Sequence, residues 1–422
     1  MRIHCLLVFF YLLVGHTFAQ QFDVEFSRDG LLVLKELGME SSHIIDFDVV
    51  AESKINVLYE ADSKKNLVRL HKNGMKETDF FASTTGLNNE YTIPVAIDAK
   101  LDGSVLVLSN FWNGHSWMVS VNEFYEDGNM NVGFGSSGYY KKNIMDNFDD
   151  NYGQSIHASA NDEIIVVAKV QNFTTNSAAK KEKIGILKLS NAGETLSSGL
   201  YDDHNFTLNC AAMDNDQLLL AYSESIDDGQ EQATYLASLD SDQMAYNKLD
   251  CITIEENYQS FDHIVLSNEK LYTSQMEDDS EGVYHIRKYD VEGNRDTSFF
   301  DMGKMSYSAD IYNTNFVVNK SGEIFIISSS LDNEFEILIK KLLSTGEVDT
   351  NYGVEGVTSL YLKYPILDLS KMHLDYEDNL YISGAMRIEG SSYGFISKVK
   401  LNIQELKREK LEKFLDNLFK KE

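Results

Sequence analysis

The motif that decides the fold lies in the stretch Gly346-Glu347-Val348-Asp349-Thr350-Asn351-Tyr352-Gly353-Val354-Glu355-Gly356. In this stretch a glycine is followed three residues later by an acid, three further on by an aromatic residue, and four beyond that by a second glycine. Glycine permits a tight turn, the acid accepts backbone N–H bonds within it, and the aromatic ring plugs between layers of structure. We call this pattern the turn motif.

The turn motif recurs along the chain. Copies with the same offsets, complete or partial, are Gly293, Asp296, Phe299 and Gly303; Gly128, Asn131, Phe134 and Gly138; Gly74, Glu77 and Phe80, with the closing glycine displaced to Gly86; and Asp23, Phe26 and Gly30. The copies near Gly193 and Asp242 are degenerate. Such self-similarity is the sequence signature of a repeat architecture.

Short β-rich stretches alternate with the turn motifs, and most of them open on an Asn, Asp or Gly turn. Seven anchor residues mark these stretches at steps of 50 to 59 residues: Ile55, Val105, Ile164, Leu218, Leu271, Ile324 and Leu380. Asn, Asp and Gly tolerate the left-handed backbone of a tight hairpin, so each stretch is predicted to be a β-hairpin. The pattern predicts seven repeating units.

The two chain ends share one of these units. The motif at Asp23 precedes every hairpin, whereas the last hairpin, Asn379 to Lys400, has no motif after it. A closed ring explains this order, because closure also protects the edge strands. We therefore predict an all-β fold, a seven-bladed β-propeller over residues 20–400 that is closed by the N-terminal strand.

This alternation of turn motif and hairpin resembles the Delta-60 repeat, a β-propeller-type repeat found mostly in secreted or surface bacterial proteins. The resemblance extends over nearly the whole chain between residues 22 and 400, strongly in five units and weakly in two. It implies a fold and a location. It implies no reaction and supplies no catalytic residues.

The chain ends have a different character from the repeats. A short basic start, an apolar run at residues 5–14 and the small residues Thr17 and Ala19 predict a signal peptide over residues 1–19. A transmembrane anchor would need about 20 apolar residues, roughly twice this run. Residues 401–422 carry apolar residues at helical spacing, which predicts an amphipathic C-terminal helix. It would pack on the propeller or bind a partner.

Charge limits the choice of partners. The chain has 37 Lys and Arg against 66 Asp and Glu, a formal net charge of −29. An acidic surface repels phosphate backbones, so no nucleic-acid partner and no anionic membrane surface is expected. With the signal peptide and no transmembrane segment, the sequence predicts a secreted protein that is periplasmic, on the cell surface or extracellular.

The strongest hint of a recognition loop is a cluster of aromatic residues. The stretch Asn110-Phe111-Trp112-Asn113-Gly114-His115-Ser116-Trp117 contains both tryptophans of the chain. Exposed aromatic rings stack on sugars or on protein side chains. Trp112, Trp117 and His115 are therefore the candidate ligand-binding residues, with ordinary packing as the alternative.

Three histidines occupy similar places in their units. His157, His263 and His373 lie seven or eight residues before their anchors, on the strand expected to line the channel. Imidazoles that converge on the axis could bind zinc, whereas a reused structural residue explains the same spacing. Acidic loops such as Asp332-Asn333-Glu334 suit calcium but lack an EF-hand spacing. No cofactor is therefore predicted, with zinc and calcium kept as alternatives.

Two cysteines remain outside the signal peptide, Cys210 and Cys251. A disulfide between them would close a loop of about 40 residues and contribute ~3–4 kcal/mol. Two separate thiols are the alternative. The residues alone leave both open.

Two functions fit these observations. No phosphate loop, His-Glu-x-x-His or Cys-x-x-Cys motif occurs, so the first hypothesis is a binding or scaffold module for a protein or glycan, with its site in loops on one face. The alternative is a metal-dependent hydrolase or lyase at the central channel, built on the three histidines.

Overall fold

A computed structural model of the protein describes residues 22–401 except for short segments: 28, 38–40, 51–53, 81–86, 145–149, 173–180, 202–205, 215–216, 227–230, 241–249, 257–260, 277–282, 291–292, 309–310 and 331. The predicted signal peptide and the predicted C-terminal helix lie outside the described residues, apart from the buried Leu401. The described residues form 27 strands, numbered here in chain order, and one short 3₁₀ helix at Leu34–Leu37.

Five antiparallel sheets form the compact unit of residues 39–309. Sheet I consists of β2 (Ser42–Val50), β3 (Lys54–Ala61) and β4 (Lys64–Leu70). Sheet II consists of β5 (Thr92–Ala99), β6 (Val105–Trp112), β7 (Trp117–Phe124) and β8 (Tyr140–Lys142). Sheet III consists of β9 (Asp150–Ala158), β10 (Ile164–Asn172), β11 (Lys181–Leu189) and β12 (Thr195–Tyr201). Sheet IV consists of β13 (Phe206–Asp214), β14 (Gln217–Ile226), β15 (Glu231–Asp240) and β16 (Asp250–Glu256). Sheet V consists of β17 (Phe261–Ser267), β18 (Lys270–Met276), β19 (Val283–Asp290) and β20 (Lys304–Ser308).

Two further sheets form the second unit, which contains residues 1–38 and 310–422. Sheet VI consists of β21 (Ile311–Val318), β22 (Ile324–Ser330), β23 (Glu336–Leu342) and β24 (Val357–Tyr361). Sheet VII consists of β1 (Leu31–Val33), β25 (Ile366–Leu374), β26 (Asn379–Ile388) and β27 (Ser391–Lys400).

In sheets I to VI the strands follow one another as an up-and-down meander, and the second strand carries the predicted anchor. In sheet VII, β25, β26 and β27 form the meander, the anchor lies on β26, and β1 adds to β27. The hairpin turns before these strands use left-handed backbone at positions such as Gly103, with φ 82°, and Asp162, with φ 58°. The predicted hairpins are thereby confirmed.

The sheets pack side by side through their first strands. In the larger unit, β2 contacts β5, β5 contacts β9, β9 contacts β13, and β13 contacts β17; in the smaller unit, β21 contacts β25. The inner strands of the sheets are thus β2, β5, β9, β13, β17, β21 and β25, which are the strands just before the anchors, as predicted. Apolar clusters fill the spaces between neighbouring sheets, for instance Leu106 and Leu108 of sheet II against Ile164 and Val166 of sheet III. Burial of each such side chain contributes about 1.5–3 kcal/mol.

This arrangement is a β-propeller with six four-stranded blades, and sheet I shows three strands among the described residues. The N-terminal strand completes sheet VII. Strand β1 pairs with β27 in the antiparallel register Leu31↔Ser397, Leu32↔Ile396 and Val33↔Phe395. No helix in the part of the chain that the structure describes is long and apolar enough to cross a membrane.

Candidate functional site

The turn motif has a structural role, because its acid and its aromatic ring hold a lysine or arginine. The ammonium group of Lys341 lies 3.1 Å from Oδ2 of Asp349 and 2.6 Å from Oε1 of Glu323. It also lies 5.8 Å from the ring centre of Phe325 and 5.9 Å from that of Tyr352. Burial lowers the pKa of Lys341, but hydrogen bonds and charge from the two carboxylates outweigh it and leave the pKa raised. We call this arrangement the cation cage.

The cation cage recurs in other sheets. Its acid and cation are Asp296 with Lys288 at 3.3 Å, Asp23 with Lys398 at 3.3 Å, and Glu77 with Arg69 at 4.0 Å. The motif aromatics Phe299 and Phe80 lie under the cations of their own cages, at 5.7 Å and 4.6 Å. This repeated chemistry therefore stabilises sheets I, V, VI and VII.

The cage in sheet II has its charges exchanged. Glu123 occupies the cation's place on β7, and Lys100 supplies the positive charge, with Nζ 2.5 Å from Oε1 of Glu123. Asn131, the motif residue, donates a hydrogen bond to Glu123. Lys100 also donates to the side-chain oxygen of Asn191 in sheet III. The exchanged charges still form an ion pair, and Lys100 links sheet II to sheet III.

The tryptophan hairpin brings the two predicted tryptophans together. Trp112 ends β6 and Trp117 begins β7, and the two residues are cross-strand partners, which places their side chains on the same face of sheet II. Their ring centres are 5.5 Å apart with an interplanar angle of 51°. Between them, Oδ1 of Asn113 accepts hydrogen bonds from the backbone N–H groups of His115 at 2.8 Å and Ser116 at 2.9 Å. His115 is exposed at the hairpin tip.

A third ring comes from the neighbouring sheet. Tyr152, at the start of β9, lies 6.1 Å from Trp117 between ring centres, with an interplanar angle of 36°. The buried carboxylate of Asp150 connects the two: Oδ1 accepts the backbone N–H of Trp117 at 2.8 Å, and Oδ2 accepts the hydroxyl of Tyr152 at 3.2 Å. Burial, together with the charge of Asp150, raises the pKa of Tyr152 to about 12.

Another exposed aromatic residue, Tyr91, is joined to Trp112 through the backbone. The carbonyl of Tyr91 accepts the backbone N–H of Trp112 at 2.8 Å, and the Tyr91 side chain is 48% exposed. Trp112, Trp117 and Tyr152 are half-buried. We call Tyr91, Trp112, Trp117 and Tyr152 the aromatic surface. Two of its members were predicted, whereas Tyr91, Tyr152 and the supporting Asp150 were not.

The histidine positions form part of the inner strands, as predicted. His157 lies on β9, His263 on β17 and His373 on β25, and all three are half-buried. His157 Nε2 is 3.0 Å from the hydroxyl of Ser155. No group of three or more His, Cys, Asp or Glu side chains among the described residues could hold a metal ion. The structure thus does not gather these histidines into a metal site, and metal binding stays a prediction.

Equivalent inner positions in sheets I and II carry aspartates that connect neighbouring sheets. Oδ2 of Asp48 accepts the backbone N–H of Ala99 on β5 at 3.1 Å, and Oδ2 of Asp98 accepts that of Ala158 on β9 at 2.6 Å. Sequence comparison of the units could have found them, because each lies seven residues before its anchor.

The two cysteines lie on opposite edges of sheet IV. Cys210 is on β13 and Cys251 is on β16, with β14 and β15 between them. Three strand spacings amount to about 14 Å, whereas a disulfide requires Cα atoms within about 7 Å. The structure therefore does not bring the two cysteines together.

A cleft of about 510 Å³ lies at the opposite end of the strands, between sheets I and II. Its lining is mostly acidic, and Lys54 lies inside it, 2.9 Å from Glu126 and 3.4 Å from Glu77. The hydrogen bond from Lys54 lowers the pKa of Glu126. The charges of this cleft are thus partly satisfied within the protein itself.

Comparisons with known proteins identify the fold. The chain is similar to prolyl oligopeptidase B from Galerina marginata, with a TM-score of 0.50 and 9% identity over 86% of this chain. It spans about half of that enzyme, 52% of its length. It is also similar to an ulvan lyase of a new polysaccharide lyase family, with a TM-score of 0.50 and 10% identity over 83% of this chain and 90% of the lyase.

These likenesses extend to the fold alone, since the identities are near 10%. The fold is a β-propeller. No protein-family model matches the chain, and no curated protein matches its sequence, so the resemblance to the Delta-60 repeat stays a prediction. Because a shared fold does not determine an activity, the function must be argued from the site.

Proposed function

We propose that this protein is a secreted binding module, a seven-bladed β-propeller that recognises its partner on the aromatic surface. The observation that carries the proposal is the row Trp112, Trp117 and Tyr152, whose rings come from two neighbouring sheets and remain half-exposed. Hairpin loops held by rigid sheets suit recognition. In this proposal sheet I is the seventh blade, β1 closes the ring, and residues 1–19 direct export.

The chemistry of the aromatic surface favours binding. Indole and phenol rings offer broad apolar faces with polar edges, and they lose little conformational entropy on contact. Both oxygens of Asp150 already accept hydrogen bonds, from the backbone N–H of Trp117 and from the hydroxyl of Tyr152, so this carboxylate has a supporting role at the site.

The chain provides its own reporter for a test. Its two tryptophans both belong to the aromatic surface, so intrinsic tryptophan fluorescence reports on this site alone. The protein should be titrated with soluble polysaccharides and with peptides of varied charge. We expect binding to cause a saturable change in tryptophan emission. Trp112→Ala should weaken the affinity at least tenfold.

Tyr376→Ala provides the matched control, because Tyr376 is 54% exposed and lies outside the aromatic surface. This variant should bind like the parent. If every ligand found by calorimetry leaves tryptophan emission unchanged and binds Trp112→Ala normally, the proposed site is wrong.

The enzyme hypothesis is tested with the same ligands. Any polysaccharide or peptide that binds should be incubated with the protein and its products separated by chromatography. Turnover that disappears in His157→Ala and His263→Ala, with binding unchanged, would replace the binding-module proposal by the hydrolase or lyase hypothesis.

A further inference from the structure

We infer that the ligand of the aromatic surface is a single extended chain of a neutral glycan, with consecutive sugar units stacked on consecutive rings. This inference rests on the proposed function and names the class of its ligand. Four features of the surface carry it: its openness, the spacing of its rings, their twist and the charge around them.

The openness of the surface favours sugars over a protein anchor. Protein partners bind most strongly through side chains buried in well-packed, desolvated pockets. The cleft of about 510 Å³ is lined by none of these aromatic residues. A pyranose ring, in contrast, has an apolar C–H face and a polar rim, so it can stack on an open aromatic face while its hydroxyl groups stay in water.

The spacing of the rings indicates a chain. The ring centres are separated by 5.5 Å from Trp112 to Trp117 and by 6.1 Å from Trp117 to Tyr152. Each step is close to the length of one pyranose ring with its glycosidic oxygen. These are also ordinary contact distances between aromatic rings, and three rings in succession offer one stacking position to each of three sugar units.

The twist of the row excludes a flat ligand. Successive rings are tilted by 51° and 36°, so one plane cannot contact all three. A crystalline polysaccharide presents a plane, whereas a single chain in solution can rotate from unit to unit. The buried Asp150 holds the backbone of Trp117 and the hydroxyl group of Tyr152, which links the two strands that carry these rings.

The charge of the protein selects among soluble glycans. With a formal net charge of −29 the molecule repels sulfated and uronic chains. Asp150 lies directly at the row, and Glu90 hydrogen-bonds the neighbouring Tyr91 and raises its pKa. A neutral chain avoids this repulsion, and its binding should depend little on salt.

The experiment measures how affinity depends on ligand length. Neutral linear oligosaccharides of glucose, xylose, mannose and galactose, each from mono- to hexasaccharide, are titrated by calorimetry and tryptophan emission. For at least one series, affinity should rise at least tenfold between mono- and trisaccharide and then level off. Microcrystalline cellulose and polygalacturonate should bind at least tenfold more weakly than the best soluble chain.

Variants at the two ends of the row assign the subsites. Trp112→Ala and Tyr152→Ala should each weaken the trisaccharide at least tenfold, whereas Trp112→Phe, which keeps a ring, should weaken it less. Tyr376→Ala should have no effect, and equal melting temperatures establish that each variant is folded.

Three results overturn the inference. They are affinity independent of chain length, preference for the crystalline or the polyanionic probe, and absence of binding to every glycan. If a peptide changes tryptophan emission while all glycans fail, the binding-module proposal stands and the glycan inference falls. If glycans bind with unchanged emission and with normal affinity for Trp112→Ala, the site itself is wrong.

Discussion

The backbone N–H of Trp117 donates a 2.8 Å hydrogen bond to Oδ1 of Asp150, a residue of the neighbouring sheet. The same carboxylate accepts the hydroxyl of Tyr152, so one buried acid links the backbone of Trp117 to the ring of Tyr152. Asp150→Ala removes both acceptors and leaves the Trp117 N–H without its partner. We expect a loss of about 1–3 kcal/mol of unfolding free energy, measured by urea denaturation.

Asp150→Asn tests how much of this stability comes from the hydrogen bonds and how much from the charge of the carboxylate. Its side-chain oxygen can still accept from Trp117, so we expect a smaller loss of stability than in Asp150→Ala. Tryptophan emission reports the ring packing directly. Equal stability and equal emission in the parent and Asp150→Ala would show that Asp150 does not hold the rings.

The cation cage of sheet VI predicts that a double variant is more stable than one of its single variants. Asp349→Ala leaves Lys341 with one carboxylate in a largely buried place, and we expect it to cost about 2–3 kcal/mol. The double variant Lys341→Met, Asp349→Leu fills the space without charge and should recover at least half of that loss. Asp332→Ala, which removes an exposed acid in the same unit, controls for the change in net charge of Asp349→Ala. A double variant that loses as much unfolding free energy as Asp349→Ala would contradict the cage.

Gly356 and Gly390 have almost the same φ and form a matched pair for substitution by alanine. Gly356, in the turn motif, has φ 84°, and a Cβ there would lie 2.2 Å from Cγ1 of Val348. Gly390 has φ 89°, but a Cβ there meets no atom within 4 Å. Gly390→Ala should cost about 1 kcal/mol from backbone strain alone. Gly356→Ala should cost at least about 1 kcal/mol more, because Val348 must move. Thermal unfolding of both variants measures the difference.

Most of the fold could be predicted because its determinants are local. A turn residue before an apolar anchor specifies a hairpin, and the early motif at Asp23 predicted that the N-terminal strand completes the last sheet. The cation of the cage was missed, although it has a sequence signal: Arg69, Lys288 and Lys341 each lie eight residues before the acid of their motif.

The candidate site could be predicted only in part. Trp112 and Trp117 lie five residues apart, and the Asn113-Gly114 turn brings them together as a hairpin. Asp150 and Tyr152 belong to another sheet, and their approach depends on how sheets II and III pack, which no local pattern encodes. The three histidines lie on equivalent strands of three different sheets, and equal sequence spacing alone does not determine whether their side chains converge, so metal binding stays a prediction.

The alkaline titration of Tyr152 tests the site as a whole. Its pKa, raised to about 12 by burial and then by Asp150, lies above the ordinary value of about 10 for an unfolded tyrosine. A raised pKa in the folded state means that Tyr152 contributes its full stabilisation below pH ~10 and loses it as the pH rises towards ~12. In the Tyr152→Phe variant this part of the alkaline loss should be missing, and the difference between parent and variant should shrink across that window. Asp150→Asn should lower the pKa of Tyr152, since it removes the charge but not the burial. Ultraviolet absorbance of the phenolate, recorded as a difference from Tyr152→Phe, measures the pKa of Tyr152. Urea denaturation at several pH values measures the difference in stability. A Tyr152 that titrates near 10 in the folded parent would show that the Asp150–Tyr152 contact does not form.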